Sequence, residues 1–276
     1  MLEVVLAGGP PPPGFSRAVN VWRDDEGAAF AEASASDDRY RLEWRGVGVM
    51  TFASGSTEVR LWPAPGLPTE ASTSAVLHVV QPVILQALGY QALHASGVRL
   101  PAGVVAFCGV SGTGKSTLAF ALGQRPGLSQ IADDALVLTL EGSRAAVHPL
   151  PFRPRLRPSS REFLSSRPAL ETAPRTTPPA APLLAVFLLQ PAQAGRTIDV
   201  KRVPATHAFS ALLTHAHCFD ASDRASVATL VQAYLALADA VPVYSLEYPR
   251  DFSALGAVEA SVLEVVATQS RLAGHA

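Results

Sequence analysis

Short stretches of alternating apolar and polar residues dominate the beginning of the chain. Residues 40–44, 47–52 and 58–62 each alternate with a period of two, and glycine or Ser-Gly pairs separate them. Because successive side chains of a strand point to opposite faces of a sheet, this pattern predicts half-buried strands joined by tight turns. We therefore expect residues 1–70 to form a small antiparallel β domain.

From residue 71 onward, apolar strand-like runs alternate with helical patterns. The first helix is predicted over residues 72–88, with Ser72 or Thr73 as its cap, Gly89 as its stop and a kink or a new helix start at Pro82. The other predicted elements are strands at 92–98, 104–108, 135–140, 145–148, 183–189, 197–203 and 243–248, and helices at 116–122, 205–215, 222–240 and 252–273. Strands interleaved with helices are typical of α/β folds. Residues 71–276 are therefore predicted to form an α/β domain, in which helices cover a mixed, twisted sheet.

Residues 149–182 interrupt this alternation. The stretch is rich in proline, serine and arginine, and only residues 159–164 suggest a helical turn. Long loops inside compact domains are usually functional or disordered. A basic lid close to a phosphate site and a solvated insertion are both compatible with this composition.

Composition narrows the functional classes. The 276 residues carry a formal net charge of -1, which gives no electrostatic sign of a nucleic-acid or membrane partner. Cys108 and Cys218 show neither metal-site spacing nor a disulfide framework, which is typical of a reducing compartment. No apolar run reaches the roughly 18 residues of a transmembrane helix, and the start of the chain lacks the basic segment of a signal peptide. We expect a cytoplasmic protein.

One motif carries specific chemistry. Residues 109–117 match the phosphate-binding pattern G-x-x-x-x-G-K-[ST], between a predicted strand and a predicted helix. Its glycines allow backbone N–H groups to point at a phosphate chain, and the helix N-terminus adds partial positive charge. The chain holds only two lysines, Lys115 and Lys201, so a lysine at this position is unlike a chance glycine-rich turn. The predicted nucleotide-binding residues are Gly109, Ser111, Gly112, Thr113, Gly114, Lys115, Ser116 and Thr117, with the Ser116 hydroxyl on Mg²⁺.

A carboxylate pair follows a short strand predicted at residues 128–132. Asp133 and Asp134 lie 18 and 19 residues after Lys115, where one could accept a proton from a hydroxyl group and the other could help to hold Mg²⁺. A solvated Asp-Asp turn is the alternative. His94 precedes Gly109 by 15 residues, so a hairpin would return it to the phosphate site, where it could orient a carboxylate. A structural histidine of the core or of a turn is the alternative for His94.

Three segments together, residues 93–98, 109–117 and 132–134, resemble in order and spacing the catalytic domain of HPr kinase/phosphorylase. That family is related to phosphoenolpyruvate carboxykinase. The resemblance implies a fold of this type and a kinase that uses ATP and Mg²⁺ to phosphorylate a serine hydroxyl of a protein. It also implies that Asp133 is the base, that Asp134 supports the metal, that His94 assists both, and that homo-oligomers can form.

The chain also departs from that family. It lacks the Glu-Ile-Arg-Gly signature linked to the metal and to phosphorolysis, and only Arg153 and Arg155 lie in that general region as candidate substrate or phosphate ligands. It looks more like the shorter HPr-kinase-related proteins, some of which are similar to kinases of lasso peptides. A serine in a ribosomal peptide is therefore one expected acceptor, and a small molecule is another. A regulatory module that binds ATP without transferring phosphate is the alternative from a different functional class.

Overall fold

The computed structural model describes residues 2–24, 26–142, 144–154, 156–165, 178–193 and 196–273. Arg155 lies outside these described residues. The chain divides into two compact units, one made of Met1–Tyr90 and His217–Val231, the other of Gln91–Ala216 and Gln232–Ala276. All residues of the phosphate motif and the carboxylate pair belong to the second unit.

The first unit contains one six-stranded sheet, in the order β1-β6-β5-β4-β3-β2. Its strands are β1 (Glu3–Leu6), β2 (Arg17–Arg23), β3 (Ala29–Ser36), β4 (Arg39–Trp44), β5 (Gly48–Ala53) and β6 (Glu58–Pro63). The predicted alternation is visible in β6, where Val59 and Leu61 are buried and Glu58 and Arg60 are exposed, whereas β5 is buried on both faces. The sheet is antiparallel except that β1 runs parallel to β6. No hairpin ties β1 to β6, because four other strands separate them in the chain, so turn geometry does not dictate their relative direction.

The first helical region of the chain starts earlier than predicted and is not continuous. Helix α1 (Thr69–Ala75) leads into a π-helical turn, Val76–Val80, which leads into α2 (Gln81–Ala87). The residue before α1 is Pro68, so the predicted cap at Ser72 or Thr73 is wrong. Pro82 lies in the first turn of α2, where the missing N–H of a proline costs least. Gly89 follows with a φ of 96°, a left-handed conformation that ends the helix as predicted.

The second unit is an α/β structure with a mixed sheet, as predicted for this part of the chain. Its strands are β7 (Gln91–Leu93), β8 (Ala95–Leu100), β9 (Gly103–Cys108), β10 (Ser129–Ala132), β11 (Leu136–Glu141), β12 (Arg144–His148), β13 (Ala181–Ala192), β14 (Asp199–Arg202) and β15 (Val243–Pro249). The remaining helices of the chain are α3 (Lys115–Gly123), α4 (Pro158–Ser165), α5 (Ala205–Leu213), α6 (Arg224–Ala240) and α7 (Leu255–Ala273), and a 3₁₀ turn, Phe252–Ala254, precedes α7. No helix in the described ranges is both long enough and apolar enough to cross a membrane.

The strand predicted over residues 92–98 is broken into two at His94. Strand β7 pairs with β11, whereas β8 pairs with β9 and β10. At the break, the backbone N–H of His94 donates to the carbonyl oxygen of His215 at 2.7 Å instead of to a neighbouring strand. The glycine of this segment, Gly97, lies inside β8, so no turn residue marks the change of partner at His94.

Strand β13 joins the two parts of the sheet. Its first residues pair with β12, and the rest of the strand pairs in parallel with β9 on one side and β15 on the other. The stretch predicted as a long loop, residues 149–182, therefore contains helix α4 and the start of β13. Its residues 166–177 lie outside the described ranges.

One face of this sheet is covered by α3 and α7. Phe107 of β9 and Phe187 of β13 are fully buried there, with ring centroids 5.8 Å apart, against Leu118 and Leu122 of α3 and Val262 of α7. Because β9, β13 and β15 are parallel, their carboxyl ends lie at the same edge of the sheet. In open α/β sheets, ligands bind at that edge, where helices begin and their N–H groups are free to meet an anion.

Candidate phosphate-binding cleft

The phosphate motif forms a loop between β9 and α3, as the sequence predicts. Its three glycines, Gly109, Gly112 and Gly114, have positive φ values of 154°, 84° and 98°. Residues other than glycine rarely adopt these conformations, because their Cβ collides with the backbone. At position 109 a Cβ would also lie 2.7 Å from the hydroxyl oxygen of Thr113. The glycines therefore allow the chain to curl tightly in front of α3.

Lys115 lies in the first turn of α3 and is buried, with only 7% of its surface exposed. Its ammonium group donates to the carbonyl oxygen of Gly109 at 2.7 Å and to that of Val110 at 3.3 Å. Burial lowers the pKa of Lys115, and the nearby carboxylates of Asp134 and Asp133 partly oppose this effect. The cation is thus held by neutral carbonyl groups in a place where an anion would stabilise it more strongly.

Other side chains donate hydrogen bonds to carbonyl oxygens of the loop. The Thr113 hydroxyl donates to the carbonyl oxygen of Val110 at 2.9 Å. The Tyr248 hydroxyl, at the end of β15, donates to the carbonyl oxygen of Thr113, and burial raises the pKa of this tyrosine to about 12, so it stays protonated. Arg250 donates to the carbonyl oxygen of Gly112 at 3.3 Å. These bonds satisfy three carbonyl groups of the loop and help to fix its conformation.

The two aspartates that follow β10 have different surroundings. Asp133 is 7% exposed, and its carboxylate accepts a hydrogen bond of 2.7 Å from the fully buried hydroxyl of Ser96. The Asp134 side chain is 50% exposed, and the backbone of this residue adopts a left-handed conformation with a φ of 70°. Strained conformations of this kind are concentrated at functional sites.

His94 contacts Asp134 twice. Its Nδ1 lies 2.9 Å from the main-chain carbonyl oxygen of Asp134 and 3.3 Å from the carboxylate oxygen Oδ1. A carbonyl oxygen can only accept, so Nδ1 carries the proton and Nε2 is left as the acceptor when the ring is neutral. Burial lowers the pKa of the neighbouring His215, with smaller contributions from the charges of His94 and Lys115.

These groups face one cleft with a volume of about 450 Å³. The predicted residues on its walls are His94, Ser111, Gly112, Thr113, Gly114, Lys115, Ser116, Thr117 and Asp134. Gly109 and Asp133 do not line the cleft, and neither does the exposed Arg153. The Thr117 hydroxyl, predicted to bind phosphate, donates to the hydroxyl of Ser160 in α4 at 2.9 Å.

Two arginines that sequence reasoning did not single out also line the cleft. Arg157 precedes α4, and Arg250 follows β15. Arg157 belongs to an arginine-rich stretch whose composition does not distinguish one arginine from another. A signal for Arg250 does exist, because it directly follows strand β15 and the carboxyl ends of parallel strands meet at one edge. Finding it requires knowing that β15 is parallel to β9.

The cleft fits a nucleotide with Mg²⁺. Gly112 and Gly114 line the cleft without a side chain, and the buried ammonium of Lys115 donates to the carbonyl oxygens of Gly109 and Val110. Ser116 and Asp134, the predicted metal ligands, are both on the cleft walls. Within the described ranges no group of three or more histidine, cysteine or acidic side chains could hold a metal ion alone. Phosphate oxygens and water usually complete the coordination of Mg²⁺ in such sites.

No protein-family model matches the chain. No curated protein matches it either. Solved structures do match, among them the HPr(Ser) kinase/phosphatase from Coxiella burnetii. That match covers 67% of this chain and 99% of the other chain, with 11% sequence identity and a TM-score of 0.31.

Proposed function

We propose that the protein is a kinase that uses ATP and Mg²⁺ and transfers the γ-phosphate to a serine hydroxyl of a protein or peptide. One observation carries the proposal. The glycine loop with its buried Lys115 and the His94–Asp134 pair come from separate parts of the sequence, yet they line the same cleft. A phosphate cradle that faces a carboxylate and a histidine is what transfer to a hydroxyl group requires.

The phosphate end of the cleft acts by electrostatic stabilisation. Loop N–H groups and the Lys115 ammonium are fixed before the reaction and oppose the negative charge that spreads over the transferred group. An incoming triphosphate also offsets the cost of burying the ammonium. Ser116 would hold Mg²⁺, which would neutralise phosphate charge, and Asp134 would be a second ligand of the metal in the arrangement where Asp133 is the base.

The acceptor end acts by general-base catalysis. The proton of the serine hydroxyl passes to a carboxylate oxygen, the serine oxygen bonds to the γ-phosphorus, and the bond from that phosphorus to ADP breaks. Asp134 faces the cleft next to His94, whereas Asp133 is buried against Ser96. Asp134 is therefore the better-placed base. The sequence-based assignment gives this role to Asp133, and the two Asp→Asn variants decide between them by the larger loss of transfer.

The chain offers a matched control for a direct test. Its only other lysine, Lys201, is exposed and pairs with Asp199 outside the cleft. We expect γ-labelled ATP with Mg²⁺ to label serine-containing peptides but not their Ser→Ala counterparts. Lys115→Met should abolish labelling, and Lys201→Met should leave it unchanged.

Other outcomes contradict the proposal in specific ways. ATP binding without labelling of any peptide or small-molecule alcohol would indicate the regulatory module instead. Labelling of a small alcohol alone would retain the phosphotransferase but reject the peptide acceptor. Equal labelling by wild type and Lys115→Met would remove the glycine loop from the reaction.

A further inference from the structure

Two guanidinium groups meet at a single glycine of the phosphate loop. A Cβ at position 112 would lie 3.0 Å from Nη2 of Arg157, so this side chain rests directly on Gly112. From the end of β15, Nη2 of Arg250 donates to the carbonyl oxygen of the same glycine at 3.3 Å. Although 93 residues separate the two arginines in the sequence, both line the cleft.

Neither arginine has a carboxylate partner in the described part of the chain. The nearest candidate in sequence, Asp251, uses its carboxylate to accept from the backbone N–H of Ser253 at 2.9 Å. Across the cleft, the Asp134 carboxylate contacts His94. With Lys115, the cleft thus presents three cations, of which two are exposed guanidinium groups whose only described contacts are with uncharged groups of the loop.

Guanidinium groups match the geometry of phosphate because they donate two parallel hydrogen bonds from a rigid plane. Arg157 and Arg250 bring such donors to the glycine loop, where the start of α3 already favours an anion. Arg157 is also held by its place in the chain, because its carbonyl oxygen accepts the first hydrogen bond of α4, from the N–H of Arg161 at 2.9 Å. The side chain is therefore carried by a fixed helix start.

We propose that Arg157 and Arg250 form a two-sided clamp on the phosphate chain of the nucleotide. Both side chains give up their contacts with Gly112 when they bind the phosphate groups. The clamp rests on the proposed function, since it deepens the account of the same cleft. It supplies nucleotide affinity, whereas proton transfer depends on the carboxylate at the other wall.

The test measures binding by calorimetry, with ATP and Mg²⁺ as one probe and inorganic tripolyphosphate as a second probe that lacks base and ribose. Arg157→Gln and Arg250→Gln should each weaken both probes about tenfold to a hundredfold, as expected for the loss of charge-assisted hydrogen bonds. Arg157→Lys should restore part of the affinity, since it keeps the charge without the paired donors. Arg144→Gln is the control, because Arg144 is exposed at the start of β12, outside the cleft, and should bind both probes like wild type.

Each other result overturns a specific claim. If wild type binds ATP, Lys115→Met does not, and both Arg→Gln variants bind normally, the clamp is wrong and the proposed function stands. Weakened ATP binding with unchanged tripolyphosphate binding also rejects the clamp, because the contacts would then be to base or ribose. An equal loss in Arg144→Gln would indicate a bulk charge effect. A wild type that binds neither probe overturns both claims. Unchanged melting temperatures of the variants would show that lost affinity is not lost folding.

Discussion

Replacing Asp134 by glycine separates the chemistry of its carboxylate from the backbone conformation that carries it. The φ of 70° costs a residue with a Cβ about 1 kcal/mol, which glycine avoids. Glycine also has more conformational freedom in the unfolded chain, which lowers stability by about 0.5–1 kcal/mol and offsets that gain. The 2.9 Å contact from His94 to the main-chain carbonyl survives, and the lost 3.3 Å contact to the half-exposed carboxylate is worth about 0–1 kcal/mol. We expect the free energy of unfolding to change by less than about 1 kcal/mol.

Transfer of label from ATP to a serine peptide should fall about 10²–10⁴-fold in Asp134→Gly, since a general base contributes that much. Urea unfolding measures stability in the same preparations. Asp37→Gly is the matched control, because Asp37 is exposed in the first unit and also has a positive φ, 53°. It should change the backbone in the same way and leave transfer intact. Normal phosphate transfer by Asp134→Gly would refute the role of Asp134 as base. A decrease of several kcal/mol in the free energy of unfolding would show that its carboxylate is structural.

Three further predictions concern residues behind the cleft. Ser96→Ala removes the buried donor to Asp133 and should lower the free energy of unfolding by about 1.5–3 kcal/mol in urea titrations; unchanged stability would contradict this. Gly109→Ala should lower the free energy of unfolding by about 1–3 kcal/mol and weaken ATP binding, because the new Cβ would lie 2.7 Å from the Thr113 hydroxyl. A variant that melts and binds ATP like wild type would show that the loop can shift to accept the methyl group. Burial lowers the pKa of His215, so the unfolded chain binds its proton at higher pH than the folded chain does. Stability should therefore fall as the pH drops below about 6.5, and His215→Gln should reduce that fall in melts between pH 7.5 and 5.5; an identical slope would exclude this histidine.

The parts of the fold that the sequence predicts well are those whose signals are local. Strand β9, the turn at its glycine loop and helix α3 follow each other within twenty residues, and each has its own pattern of apolar residues or glycines. Strand β14 lies within the range predicted for it, residues 197–203, and pairs with β15 at the edge of the sheet. In these stretches, the neighbours along the chain determine the structure.

What the sequence leaves undetermined depends on distant partners. The break at His94 arises because the strands on its two sides pair with different neighbours, and the backbone of His215 meets the exposed N–H. The different burial of Asp133 and Asp134 follows from the left-handed turn at the second residue, which two adjacent identical side chains cannot reveal. Which arginine of residues 149–182 reaches the loop depends on where α4 starts.

Strand β9 lies between two hydrogen-bonded neighbours, and all six of its residues are buried. The glycine loop therefore follows a strand that is held on both sides, and little freedom is lost there when a ligand arrives. Asp134 belongs to a separate turn of the cleft wall, the one that follows β10. Evolution could change the choice of acceptor by altering that turn while the residues at the glycine loop stayed the same.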